Sequence, residues 1–244
     1  MDTAFEKIGL YDLFGTFLAG TIIAHLLYFI TELFLLPEAL SAITQSEKLN
    51  LSLNAFSITV LSFVLGLILE NCASVLEKKC WKFRKNAMEN IVMENIVMED
   101  KMVQQGIARE EYQNMMSSIL GDQAQSLGRE KQGEYVYQYC KIYLEANKLN
   151  SREININAIY VLSRNVMLGL YGCIIWCLFI ELLDVLFAVK GWGAGFCFSL
   201  IGTELVLFFL CKVFKNRCVS YAEYRVKVVL REFYYYTRRA QARA

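Results

Sequence analysis

The chain has 244 residues, 56% of them hydrophobic and 14% aromatic, and its 25 basic and 24 acidic residues leave a formal net charge of +1. The apolar excess over an ordinary soluble domain is modest on average, but it is gathered into four blocks around a polar middle, the pattern of a membrane protein. With one histidine, and no cysteine pair set at metal-ligand spacing from a second pair, no zinc site is expected.

Met1 to Lys7 is mildly acidic and the apolar block behind it is too long for a signal core, so no cleavable signal peptide is expected. A bilayer core of about 30 Å needs roughly 20 apolar residues in a helix. The first block, from about Ile8 to Leu36, meets that length; Leu13 to Thr31 carries no formal charge, and Pro37 stops the helix. The second runs from about Leu53 to Leu76, the third from about Val166 to Val189 and the fourth from about Trp192 to Cys211. Lys190 to Gly193 is so short a connection that the last two form an antiparallel hairpin, with Trp192 at the water interface.

Orientation follows from the Lys and Arg beside each block. Residues 77–85 hold five basic residues against one acid, and residues 212–244 hold nine against two. Residues 37–52 hold only Lys48, and the last hairpin turn only Lys190. The expected fold is therefore all-α: a polytopic membrane protein with four transmembrane helices, both termini cytoplasmic, and a small helical cytoplasmic domain. Its expected parts are a first transmembrane hairpin (1–76), a helical cytoplasmic domain (77–163), a second transmembrane hairpin (164–213) and a basic-aromatic amphipathic tail (214–244).

Within the cytoplasmic segment the pattern predicts helices over Glu77 to about Gln105, Glu110 to Leu120 and Glu134 to Leu149, with Gly121, Gly128 and Gly133 in the loops. The last helix places Tyr135, Tyr139, Ile142 and Tyr143 on one face. Met-Glu-Asn-Ile-Val occurs at 88–92 and again at 93–97, and a five-residue period makes no single helical stripe. The segment has too few apolar residues for a large core of its own, so it is expected to pack on its copies or on the tail. In the tail, Val219, Ala222, Val226, Val229, Leu230 and Phe233 form one helical stripe. The cysteines read as small apolar packers: Cys72, Cys173, Cys177, Cys197 and Cys211 lie in or beside the blocks, and Cys80, Cys140 and Cys218 in segments kept reduced.

Two groups of residues carry chemistry. Ionisable and polar groups inside the blocks are costly and tend to face protein or water. Asp12 and Glu32 lie near the ends of the first block. His25 lies near its middle, Glu70 and Asn71 lie near the inner end of the second, Glu181 and Asp184 share a face of the third, and Glu204 lies deep in the fourth. Two readings stay open for His25, Glu70, Asn71, Glu181, Asp184 and Glu204. They sit at interfaces or pair with neighbouring helices, or they line a cation path in an assembly of copies. Gly15, Ala19, Gly20, Gly193, Gly195, Ser199, Gly202 and Thr203 suit close helix contact, within a chain or between chains.

The second group is basic and aromatic: Lys78, Lys79, Lys82, Arg84 and Lys85 after the second block, and Arg217, Tyr221, Tyr224, Arg225, Arg231, Tyr235, Arg238 and Arg239 in the tail. Such residues bind phosphates and stack on bases, bind anionic lipid headgroups, or simply anchor the cytoplasmic side of a span. No nucleophile, acid–base set or cofactor motif accompanies either group, so no enzyme and no cofactor are expected. Four spans without inverted-repeat interruptions argue against a secondary transporter.

Tyr11-Asp12-Leu13-Phe14-Gly15, Val64-Leu65-Gly66 ahead of Leu76-Glu77-Lys78, and Tyr224-Arg225-Val226 to Arg231-Glu232-Phe233 resemble a loose group of bacterial four-helix membrane proteins. These recur in anti-phage defence, in Hailong-type and in CRISPR- or cyclic-oligonucleotide-linked systems. The resemblance covers the two ends of the chain and the second block, and implies an inner-membrane effector. Such an effector homo-oligomerises, as a tetramer for example, and opens an ion path when a cytoplasmic signal arrives. The implied signal is an oligonucleotide (DNA, RNA or cyclic) or a nucleotidyltransferase-like partner protein. The competing expectations are a non-conducting anchor that tethers a soluble partner through residues 77–163, and a lipid-binding protein of envelope maintenance.

Overall fold

A computed structural model of the chain describes residues 10–34, 51–93, 114, 117–119, 121, 129–149, 151–187 and 194–241. It is all-helical, with no strand among those residues. The helices are α1 (Leu10–Phe34), α2 (Leu51–Leu76), α3 (Phe83–Met93), α4 (Arg129–Ala146), α5 (Ser151–Phe187) and α6 (Ala194–Gln241). The second copy of the Met-Glu-Asn-Ile-Val repeat, most of the helix expected from Glu110, and the turn at Lys190 to Gly193 lie outside the described residues.

Ser57–Trp81 and Arg152–Leu183 are long and apolar enough to cross a membrane, and Gly15–Thr31 is a shorter apolar helix. The most apolar windows of the two long helices are only 22% and 39% buried. The core helix of a soluble domain would be mostly covered. Here Phe198, Ile175 and Leu205 are exposed to 76, 67 and 65%. Apolar side chains turned outward in that number match a lipid-facing surface.

The chain divides into two compact units, Met1–Leu76 with Ala158–Arg217 and Glu77–Asn157 with Cys218–Ala244. The first is held by an apolar core of Ile23, Ile30 and Phe34 of α1, Leu69 of α2, Val166, Leu170 and Ile180 of α5, and Leu200 and Leu207 of α6. Cys173, Cys177 and Cys211 are buried in it as free thiols. Close approach of α1 and α2 rests on two glycines: a Cβ on Gly20 would strike the Ser62 carbonyl, and one on Gly66 would strike the Thr16 carbonyl. The small residues of the first block are thus spent on contacts inside one chain, since Gly15 likewise faces the Ala158 carbonyl.

In the second unit the tail and the middle segment form one body. Ala222, Val226, Val229, Leu230 and Phe233 of the tail stripe are buried; Val219 is exposed, and Cys218 takes the inward position beside it. The packed face of α4 is Val136, Tyr137, Cys140 and Leu144, whereas Tyr135, Tyr139 and Ile142 are exposed. Tyr139 and Tyr143 meet Phe233 edge-on, at ring centroid distances of 5.9 and 5.0 Å. Tyr and Ile can share a helical face without that face being the core one, because a tyrosine ring covers a rim while its hydroxyl stays wet.

Two backbone features break helices where the residue types give no warning. The helix entering at Leu51 is interrupted at the start of the segment that follows it. It passes through a π-helical turn, Glu77–Trp81, and then Lys82 adopts φ 51°, with its N–H donating to the Glu77 carbonyl at 2.8 Å. Glu77 is buried there and paired with Arg84 at 3.1 Å, and that contact fixes the redirected start of α3. Helix α4 ends in a Schellman motif: Leu149 N–H donates to the Leu144 carbonyl (2.8 Å) and Lys148 N–H to the Glu145 carbonyl (3.1 Å), with Lys148 at φ 56°.

Candidate functional site

Helix α6 continues without a break from the fourth apolar block into the tail, and this continuity sets the tail's spacing. Residues 231, 235, 238 and 239 return about every turn, so they fall on neighbouring rows of one face. The first turn of α5 adds Arg152. Together Arg152, Arg231, Glu232, Tyr235, Tyr236, Arg238 and Arg239 line an open cleft of about 720 Å³. Four guanidinium groups around two phenols fit phosphate oxyanions, which accept paired N–H donors from arginine, together with a flat group that stacks on the rings.

The cleft is partly pre-set. Arg152 donates to the Tyr224 hydroxyl at 3.1 Å, and Arg238 donates to the Tyr234 hydroxyl at 3.1 Å while lying over the Tyr234 ring. Glu232 stands among these cations. Its Oε2 is withdrawn from solvent and accepts no hydrogen bond among the described residues. Burial pushes its carboxyl above the ordinary carboxylate range, while Arg152 and Arg231 draw it back down.

Arg231, Tyr235, Arg238 and Arg239 are thus brought together, and the rest of the basic-aromatic set is not. Arg225 is buried and donates to the Glu153 carboxylate, under the Tyr137 ring at 6.0 Å. As a ligand candidate it is therefore replaced by a structural role, because its guanidinium is already committed to a buried partner. Arg84 is engaged by Glu77. Lys78, Lys79, Lys82 and Arg217 are exposed, Lys85 and Tyr221 half-buried, and none of them lines the cleft. Nothing in the sequence pattern marks Arg152, Glu232 or Tyr236 as a cleft residue. Arg152 is far from the tail in the chain, and only folding joins them.

The polar groups of the apolar unit divide in the same way. Glu70 is paired: Arg164 donates to its Oε1 and Asn165 Nδ2 to its Oε2, each at 2.7 Å. Arg164 lies over the Tyr160 ring at 5.9 Å. Asn71 is exposed and donates to the Leu67 carbonyl at 2.9 Å, and exposed His25 places Nδ1 2.8 Å from the Thr21 carbonyl. Glu204 Oε1 is buried and accepts no hydrogen bond among the described residues, and Glu181 lies on α5. Asp184 is on α5, and its side chain, like those of Asp12 and Glu32, lies outside the described ones. Among the described residues no cluster of His, Cys, Asp and Glu could hold a metal ion.

No protein-family model, curated protein or solved structure matches the chain.

Proposed function

We propose that this chain is a bacterial inner-membrane effector of anti-phage defence, with four spans and cytoplasmic termini. It homo-oligomerises into an ion-conducting path that opens when a phosphate-bearing signal, an oligonucleotide above all, reaches its cytoplasmic unit. The observation that carries this reading is the cleft. It is built from the two segments that the distribution of Lys and Arg assigns to the cytoplasm, and it presents four arginines and two tyrosines. The resemblance of the chain ends to defence effectors supplies the biological setting. Glu181 on α5 and Glu204 on α6, both in the apolar unit, supply groups able to attract cations along a path. Gating requires the signal to bind open and closed states with different affinity.

One observation favours a second reading, a non-conducting anchor for a soluble partner. Glu70 is fully accounted for by Arg164 and Asn165, as a packing residue would be. A membrane-potential dye in cells expressing the full chain separates the two. The effector reading expects depolarisation under triggering conditions, and its loss on joint replacement of Glu181 and Glu204 by Gln. An intact potential with the protein present in the membrane, together with a monomer on sizing in detergent, would leave the anchor.

A further inference from the structure

We propose that Glu232 is a built-in counter-anion of the arginine cleft, so that a phosphate ester binds there together with a proton taken up by Glu232. This rests on the cleft being the anion site put forward above. Three observations lead to it. Glu232 lies on the cleft wall with Arg152, Arg231, Arg238 and Arg239, so its negative charge cancels part of the field that would attract a phosphate. Its Oε2 is out of solvent and accepts no hydrogen bond among the described residues. A buried carboxylate oxygen in that condition gains from a proton or from a donor carried by a ligand. Burial already biases the group towards its protonated form.

The groups that face Glu232 can be assigned. From α5 come Arg152 and Glu153; Glu153 is committed to Arg225. From its own helix comes Arg231, while Arg238, Arg239 and the phenols of Tyr235 and Tyr236 line the same cleft. At neutral pH an ionised Glu232 weakens the field of Arg152 and Arg231 that would attract an anion. An arriving phosphate sets a second negative charge beside it and drives the carboxyl to take a proton. By linkage, whatever protonates Glu232 tightens anion binding by the same factor.

The test is binding of a rhodamine-labelled oligothymidylate, followed by anisotropy, to the purified chain in detergent. Phosphodiesters do not titrate between about pH 5 and 8, so any pH response belongs to the protein. The wild type should bind about tenfold tighter at pH 5 than at pH 8. Glu232→Gln should bind about tenfold tighter than wild type at pH 8 and show no pH response. A melting curve of Glu232→Gln matching wild type shows that the fold is kept. In nanodiscs, competition by phosphatidylglycerol but not phosphatidylcholine assigns the phosphate to lipid, and its absence assigns it to a soluble ester; either result keeps the role of Glu232. A wild type that binds with no pH response, a Glu232→Gln variant no tighter at pH 8, or no binding by either chain overturns it. The readout is binding, so a protein that behaves this way without depolarising a membrane retires the pore and leaves the counter-anion standing.

Discussion

Arg164, only 2% exposed, donates to Glu70 at 2.7 Å, and its chain neighbour Asn165 takes the other carboxylate oxygen at the same distance. Two adjacent positions of α5 thus grip both oxygens of one side chain on α2. A buried ion pair is weak evidence for stability, because desolvation offsets the attraction, yet removing one partner strands the other charge. Glu70→Ala should therefore destabilise the protein by about 3–5 kcal/mol. Glu70→Gln should cost less, since the amide oxygen still accepts. Replacing Glu70 and Arg164 together by Met should recover most of the loss. Thermal melts of wild type, Glu70→Met, Arg164→Met and the double variant in one detergent measure the coupling; single variants that melt like wild type would remove the pair from the fold.

The contact of α1 with α2 at Gly66 leaves no room for a methyl group, because the Thr16 backbone carbonyl occupies the space. A carbonyl cannot rotate away as a side-chain tip can. Gly66→Ala should destabilise by about 1–3 kcal/mol, in the range of overpacked cores. Gly172→Ala, where a Cβ meets nothing within 4 Å, is the matched control and should be neutral or stabilising.

Lys148 closes α4 in the left-handed region at φ 56°, which costs an L-residue about 1 kcal/mol that glycine avoids. Lys148→Gly should raise stability by up to about 1 kcal/mol, and Lys148→Val should lower it. Denaturant titration of the full chain reads both; two variants shifted the same way would contradict the assignment of the cap.

Burial pushes Tyr137 up from 10.0 to about 12 and Cys140 up from 9.0 to about 12. Each is raised in the folded chain, so the neutral form is the one that folding favours. That stability is fully present below about pH 9 and is lost as pH rises from about 9 to 12. Alkaline melts should show this loss. Tyr137→Phe should reduce it while leaving neutral-pH stability unchanged or up to about 1 kcal/mol higher, because it removes a buried hydroxyl with no partner among the described residues.

The all-helical build and the two long apolar helices were legible because their cause is local: block length and charge exclusion can be counted along the chain. The tail stripe was legible for the same reason, with Val219 the exception. Three features were not. Arg164 stands first in the segment assigned to the second hairpin, where a basic residue needs no partner, and only the arrival of Glu70 from another helix makes it a buried one. The redirection at Lys82 and the cap at Lys148 depend on backbone hydrogen bonds, and lysine itself signals neither. Within the cleft, four tail residues were legible from composition. Arg152 was not, because a neighbour from a distant segment is a product of the fold. The same packing explains why Arg225 looked like a ligand residue and proved to be a buried partner of Glu153.

In the proposed function the chain itself makes a conducting path. Its most direct test is current across a planar lipid bilayer holding the purified full-length protein, before and after an oligonucleotide is added to the side bearing the tail. Discrete conductance steps should appear with the ligand, be cation-selective, and shrink in Glu204→Gln. A bilayer that stays silent while insertion and ligand binding are both demonstrated would contradict it.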